Sequence, residues 1–205
     1  MYDFNYHRPA SLDAAIALRA SAADGTYLAG GMTLIPTLKQ RLASPSDVID
    51  LAALPGLSGI EVGSATVVIG AMTRHAEVAA SKPLAAAIPA LAYLAAQIGD
   101  RQVRQRGTLG GSVANSDPSA DYPAAVVGLG ATIHTNQRAI AADDFFKSMF
   151  ETALQPGELI VRIEFPIATT TPAEMESVIG GYAAKGIRVL VLATFRGTLP
   201  TPAQA

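Results

Sequence analysis

A chain of 205 residues, 50% hydrophobic and 16% charged, holds enough apolar material to bury a core, whole or split into two lobes. Its net charge of -2 offers no basic excess for phosphate backbones or anionic lipid, which argues against nucleic acid and membrane surfaces as partners. Zero cysteines exclude disulfides, thiolate nucleophiles, thiolate zinc sites and cysteine-held iron–sulfur clusters from this chain.

The opening Met1–Asn5 has neither a cationic stretch nor an apolar one, so no signal peptide is expected, and a cytoplasmic location is the default. Ser11 is placed to cap a helix whose apolar positions Leu12, Ala15 and Ile16 recur at helical spacing, with Gly25 placed to end it. The period then changes. Thr26–Ala29 reads as a short strand entering Gly30-Gly31. Leu34, Leu38 and Leu42 resume a helical stripe, and Asp47–Leu51 is extended again. Strand, glycine pair, helix and strand in that order form a compact βαβ unit.

Pro55-Gly56 breaks the chain and sets a lobe boundary, dividing residues 1–55 from 56–166. Beyond it, Gly59–Val62 and Thr66–Gly70 read as paired strands joined at Gly63-Ser64, and helical patterns follow at Thr73–Ala80 and Ile88–Ile98. Neither apolar stretch, around 84–96 or 124–133, reaches bilayer-spanning length. Gly107–Asp121 is dense in Gly, Ser, Thr, Asn and Asp and reads as a loop that approaches something closely. Tyr122–Leu129 resumes a buried run, Ala131–Thr135 a strand, Phe145-Phe146 a short aromatic helix, and Glu158–Phe165 an alternating strand stopped by Pro166.

Two places carry chemistry. A dinucleotide brings a diphosphate that backbone N–H groups can hold if no Cβ keeps the main chain away, and Gly30-Gly31 at a helix start, followed by Thr33, meets that need. Thr108-Leu109-Gly110-Gly111-Ser112 is a second close-approach segment, with Asn115 and Asp121 as polar groups behind it. Asp121 suits ribose hydroxyls or a ring N–H, or equally caps the helix that starts near Tyr122. Neither segment has a P-loop lysine or a G-x-G-x-x-G spacing, so a nucleoside triphosphatase or a Rossmann dehydrogenase is not supported. His7, His75 and His134 lack metal-ligand spacing and read as ordinary buried or surface histidines. No acid–base or nucleophilic constellation appears, which fits a cofactor that brings its own electron chemistry.

Leu28-Ala29-Gly30-Gly31-Met32-Thr33-Leu34 and Arg106-Gly107-Thr108-Leu109-Gly110-Gly111-Ser112 together resemble the paired FAD loops of molybdenum hydroxylase flavoproteins, the carbon monoxide dehydrogenase medium-subunit group above all. Val68–Thr73, Ile88–Leu91, Ala120–Ala125 and Phe150–Glu158 extend the resemblance across residues 1–166. It implies a two-lobed α/β (α+β) FAD-binding domain, a small βαβ N-terminal lobe beside a larger mixed-sheet lobe, with FAD between them. It implies that Ala29, Gly30, Gly31, Met32, Thr33, Leu34, Thr108, Leu109, Gly110, Gly111, Ser112, Asn115, Asp121 and Ile160 contact the cofactor, Ile160 near the flavin ring. Main-chain amides of both loops are expected around one diphosphate. Arg101, Arg104 and Arg106 form a basic cluster that faces a partner, the cofactor phosphates or solvent.

The resemblance further implies partners: an iron–sulfur small subunit that relays electrons and a molybdopterin large subunit that oxidises substrate. Residues 167–205 do not align and read as a truncated or divergent remnant. Two other readings stand beside the electron-transferring subunit: a non-catalytic assembly module, and a stand-alone flavin oxidoreductase.

Overall fold

The computed structural model describes residues 1–167; the expectation of a remnant at 167–205 therefore falls almost wholly outside the described residues. In the first part of the chain, β1 (Asn5–His7), α1 (Leu12–Ser21), β2 (Gly25–Leu28), α2 (Leu34–Lys39) and β3 (Asp47–Asp50) follow one another. Both neighbours of β3 run parallel to it, giving the order β1-β3-β2, with Thr26 opposite Val48 and Tyr27 opposite Ile49. The β2–α2–β3 unit is the βαβ motif expected from the change of period. Ser11 caps α1 by accepting the Ala14 N–H at 3.2 Å. The helix stops at Ser21, however, and Gly25 opens β2 instead of capping α1.

The second part opens with the antiparallel pair β4 (Ile60–Val62) and β5 (Thr66–Gly70). A run of short helices follows: α3 (His75–Ala80), α4 (Lys82–Ala87), α5 (Pro89–Gln97), α6 (Arg101–Arg106), α7 (Leu109–Asn115) and α8 (Asp121–Gly128). The chain then returns through β6 (Thr132–Thr135), β7 (Ala139–Ala141), α9 (Ala142–Phe145), the hairpin β8 (Phe146–Ser148) and β9 (Glu151–Thr152), and β10 (Ile160–Pro166). The last strand is the centre of the antiparallel sheet β4-β5-β10-β6-β7. Its inward residues Ile160, Ile163 and Phe165 explain the alternation seen in the sequence.

One core lies between this sheet and α3, α5, α7 and α8, with Phe165, Ile69, Ile133, Leu91, Leu109 and Tyr122 fully buried. A smaller core, Ala15, Ile49, Leu51 and Leu54, sits against the parallel sheet and takes in Leu57 and Leu159 from beyond the Pro55-Gly56 break. The segment at Gly107–Asp121 differs from the expected loop. Thr108 caps a helix by accepting the Gly111 N–H at 3.2 Å, and Ser116 closes it in the left-handed conformation.

Not every glycine is constrained. Gly128 ends α8 with nothing among the described residues within 4 Å of where a Cβ would stand. Gly128→Ala is therefore expected to stabilise the chain by about 0.5–1 kcal/mol through helix propensity and a less flexible unfolded state. A thermal melt that shows a lower midpoint contradicts this.

Candidate functional site: a cleft between two glycine segments

The two segments meet. A Cβ on Gly30 would collide with the Arg106 carbonyl and lie 2.8 Å from the Gly107 α-carbon, so the first turn rests directly on the main chain leading into the second. A Cβ on Gly111 would lie 3.3 Å from that of Ala29. Between them opens a cleft of about 510 Å³, within the size range of small-molecule and cofactor sites. Ala29, Gly30, Gly31, Met32, Thr33, Leu34, Thr108, Gly110, Gly111, Ser112, Asn115 and Ile160 all line it.

Two expected residues do not line it. Leu109 faces away from the cleft and is fully buried in the larger core, because α7 carries Leu109 and Val113 one turn apart on its inner face. Asp121 is an exposed first-turn residue of α8, and its neighbour Ala120 lines the cleft instead.

The segments divide the work unevenly. Gly31 has φ +78, which turns the chain from β2 into α2. Among the described residues, the amides of residues 30–34 donate to no backbone carbonyl, so a helix start presents free N–H groups to the cleft. Among the described residues, all of the second segment's amides but that of Thr108 are spent. Leu109 N–H donates to Thr73 at 3.0 Å, Gly110 N–H to Ala71 at 2.8 Å, Gly111 N–H to Thr108 Oγ1, and Ser112 N–H to the Thr108 carbonyl at 3.1 Å. Its glycines allow close packing, and what it shows the cleft are the Ser112 and Asn115 side chains. The expectation that both loops offer amides is narrowed in the second loop to Thr108 alone, because Thr108 starts a helix that consumes the others.

Among the described residues, no arginine or lysine lines the cleft. Arg104 Nη1 donates to the carbonyls of Ile98 and Gly99 at 3.0 and 3.1 Å, closing the end of α5, while Arg101 and Arg106 are exposed. The basic cluster thus does not face the cleft. The acidic groups at its edge are already engaged. Asp117 accepts the Ser119 N–H at 2.8 Å. Glu158 accepts Arg138 Nε at 3.0 Å, Thr135 Oγ1 at 2.7 Å and the Gln155 N–H at 2.8 Å. These bonds, Arg138 foremost, hold the Glu158 carboxyl down to about 2 and brace Leu159 and Ile160 beneath the cleft.

His75 also lines the cleft, together with Tyr27, Met72, Ile98, Val103 and Leu154. Nothing in the sequence pattern marked them. Burial lowers His75 from 6.5 to about 4, so its imidazole is neutral at physiological pH. The unfolded chain therefore takes up a proton at this histidine before the folded one does, and stability is fully retained above pH 6.5 and lost as pH falls towards 4. Glu158 adds a second loss, from 4.5 down to about 2. Acid titrations of stability should show that the conservative change His75→Gln flattens the upper window and leaves the lower one. An unchanged upper window contradicts the assignment.

The arrangement fits a dinucleotide. It has an unencumbered helix start for a diphosphate, hydroxyl and amide side chains for sugar hydroxyls, and apolar walls for flat rings. Among the described residues no group of three or more His, Asp or Glu is placed to hold a metal, and no helix is long and apolar enough to cross a membrane.

Residues 2–168 match the model of the FAD binding domain in molybdopterin dehydrogenase, and the chain belongs to that family; its cofactor is FAD. The carbon monoxide dehydrogenase medium chain of Afipia carboxidovorans is 38% identical over 92% of this chain and 68% of its own length, and that of Hydrogenophaga pseudoflava is 39% identical over 80% and 58%. A crystal structure of the Cu,Mo-CO dehydrogenase superposes with a TM-score of 0.79 at 40% identity, covering 83% of this chain and 62% of that one. The chain thus spans about three fifths to two thirds of these relatives. They are medium chains of multi-subunit dehydrogenases, so the two-lobed flavin domain and the medium-subunit class expected from the sequence hold.

Proposed function

We propose that this chain binds FAD in the cleft and serves as the flavin subunit of a molybdenum-containing dehydrogenase, receiving electrons from an iron–sulfur subunit that draws them from a molybdopterin subunit. The observation that carries the reading is the free helix start at residues 30–34 facing a cleft walled by a second glycine segment. When bound, FAD supplies the electron transfer. The residues bind and orient it: the amides of residues 30–34 take the diphosphate, and Thr33, Ser112 and Asn115 offer hydrogen bonds to phosphate and sugar oxygens. Ala29 and Met32 shape the first loop, and Ile160, which lines the cleft, would offer an apolar wall to the ring system. Thr108 holds the second segment in place as its cap.

Among the described residues, the donors lining this cradle are all neutral, and that sets a salt dependence. Exposed cationic contacts weaken steeply with ionic strength, whereas amide contacts do not. FAD affinity is expected to change by less than about threefold between 50 and 500 mM salt. A fall of about tenfold or more would mean that Arg101 or Arg106 reaches the phosphates. The electron-transfer role itself is tested by assembling the chain with its iron–sulfur and molybdopterin subunits and adding substrate without oxygen. The flavin absorbance should bleach in the assembly and stay unchanged in the chain alone, and a flavin that is never reduced in the assembly rejects the role.

A further inference from the structure

His75 stands at the start of α3, where its backbone N–H donates to the Gly107 carbonyl at 3.0 Å and Arg74 forms a single antiparallel bridge with Thr108. The side chain is 5% exposed and lines the cleft. Its Nε2 abuts Gly107 so closely that a Cβ on that glycine would strike it. On the other side the ring leans on Tyr122, centroids 5.2 Å apart at 51°, and Nδ1 is buried with no hydrogen-bond partner among the described residues. A neutral imidazole has one N–H and one bare lone pair. Burying an N–H without an acceptor costs more than burying an unfilled lone pair, so the proton belongs on Nε2, next to the glycine segment.

We propose that His75 donates this Nε2–H to an acceptor atom of the bound dinucleotide, from the wall of the cleft, as a further cofactor-positioning residue. The inference rests on the reading of the cleft as the FAD site. It explains why the second segment needs glycine at 107: a side chain there would cover the nitrogen. It also explains a polar side chain in a wall otherwise made by Ile98 and Val103. Among the described residues the cradle contains no cation, and a neutral donor supplies a bond to the cofactor without a buried charge to desolvate.

The test uses the full chain with ¹⁵N-labelled histidine, titrated with FAD, alongside His75→Gln and His75→Leu. In the wild type, the His75 ring should carry its proton on Nε2 before FAD is added, and that resonance should shift on saturation. FAD binding, read by flavin fluorescence, should weaken about five- to tenfold in His75→Leu, the loss of one hydrogen bond. It should recover to within about twofold in His75→Gln, whose amide N–H stands near the place of Nε2. A proton on Nδ1, or ring signals unmoved by saturating FAD, would overturn the contact even if the leucine variant does not fold. Equal affinity in a folded His75→Leu would do the same. A wild-type chain that takes up no FAD would overturn the parent reading and this contact with it, whereas the preceding results overturn the contact alone.

Discussion

Gly30→Ala is expected to weaken FAD binding by more than about thirtyfold, ~2 kcal/mol, while the chain stays folded. The reason is a collision with main chain. The added Cβ would overlap the Arg106 carbonyl and crowd the Gly107 α-carbon at 2.8 Å, and neither is the end of a flexible side chain that can turn away. The first turn must then lift off the second segment, carrying the free amides of residues 30–34 out of register with the cleft. Gly30 lies at the lip of the cleft and outside both cores, so the cost falls on binding more than on stability. Flavin fluorescence and a thermal melt on one preparation separate the two. Near-normal affinity in a folded variant contradicts the proposed close approach.

Gly110→Ala is expected to act on the fold itself, costing about 3 kcal/mol, or about 6–12 °C in melting temperature for a folded unit of this size. Its Cβ would stand 2.5 Å from the Ala71 Cβ and 2.8 Å from the Ala71 carbonyl. That carbonyl is also the acceptor of the Gly110 N–H at 2.8 Å, so the overlap breaks the bond that fastens α7 to the end of β5. Ala71, Leu109 and Val113 belong to the same core, which transmits the strain. The harmless Gly128→Ala serves as the control, since both add one methyl group to a helical glycine. Equal melts for the two would show that the packing around Gly110 yields.

What the sequence disclosed and what it hid have separate physical causes. The β2–α2–β3 unit was legible because Leu34 and Leu38 switch the apolar period from two to helical spacing right after a glycine pair. The β4–β5 pair and β10 were legible from alternation, though β10 begins at Ile160 and not at Glu158. The strand β1 was hidden because its three residues, Asn5, Tyr6 and His7, have no buried face to pattern. The helix α6 was hidden because RQVRQR has no apolar stripe. Its one sequence signal was Asp100, whose carboxylate accepts the Val103 N–H at 2.7 Å.

The helix α7 is the instructive case. Glycine and serine favour loops by propensity, and the segment is helical because packing of Gly110 on Ala71 outweighs that preference. The same packing consumes amides that composition alone assigned to a ligand. Most of the site was legible because loops at glycine pairs must approach something. His75, Ile98 and Val103 were not, since nothing in their local sequence marks them until the start of α3, the end of α5 and α6 meet at the cleft.

The central claim is that the free helix start after Gly30-Gly31 and the segment at Thr108–Ser112 build one FAD site in this chain. Titration of the purified full-length protein with FAD tests it most directly. The account predicts saturable binding of one FAD per chain, retained at 500 mM salt and lost in Gly30→Ala. A folded wild-type chain that leaves flavin fluorescence unchanged, or that binds FAD equally well with and without the added methyl group, would contradict it.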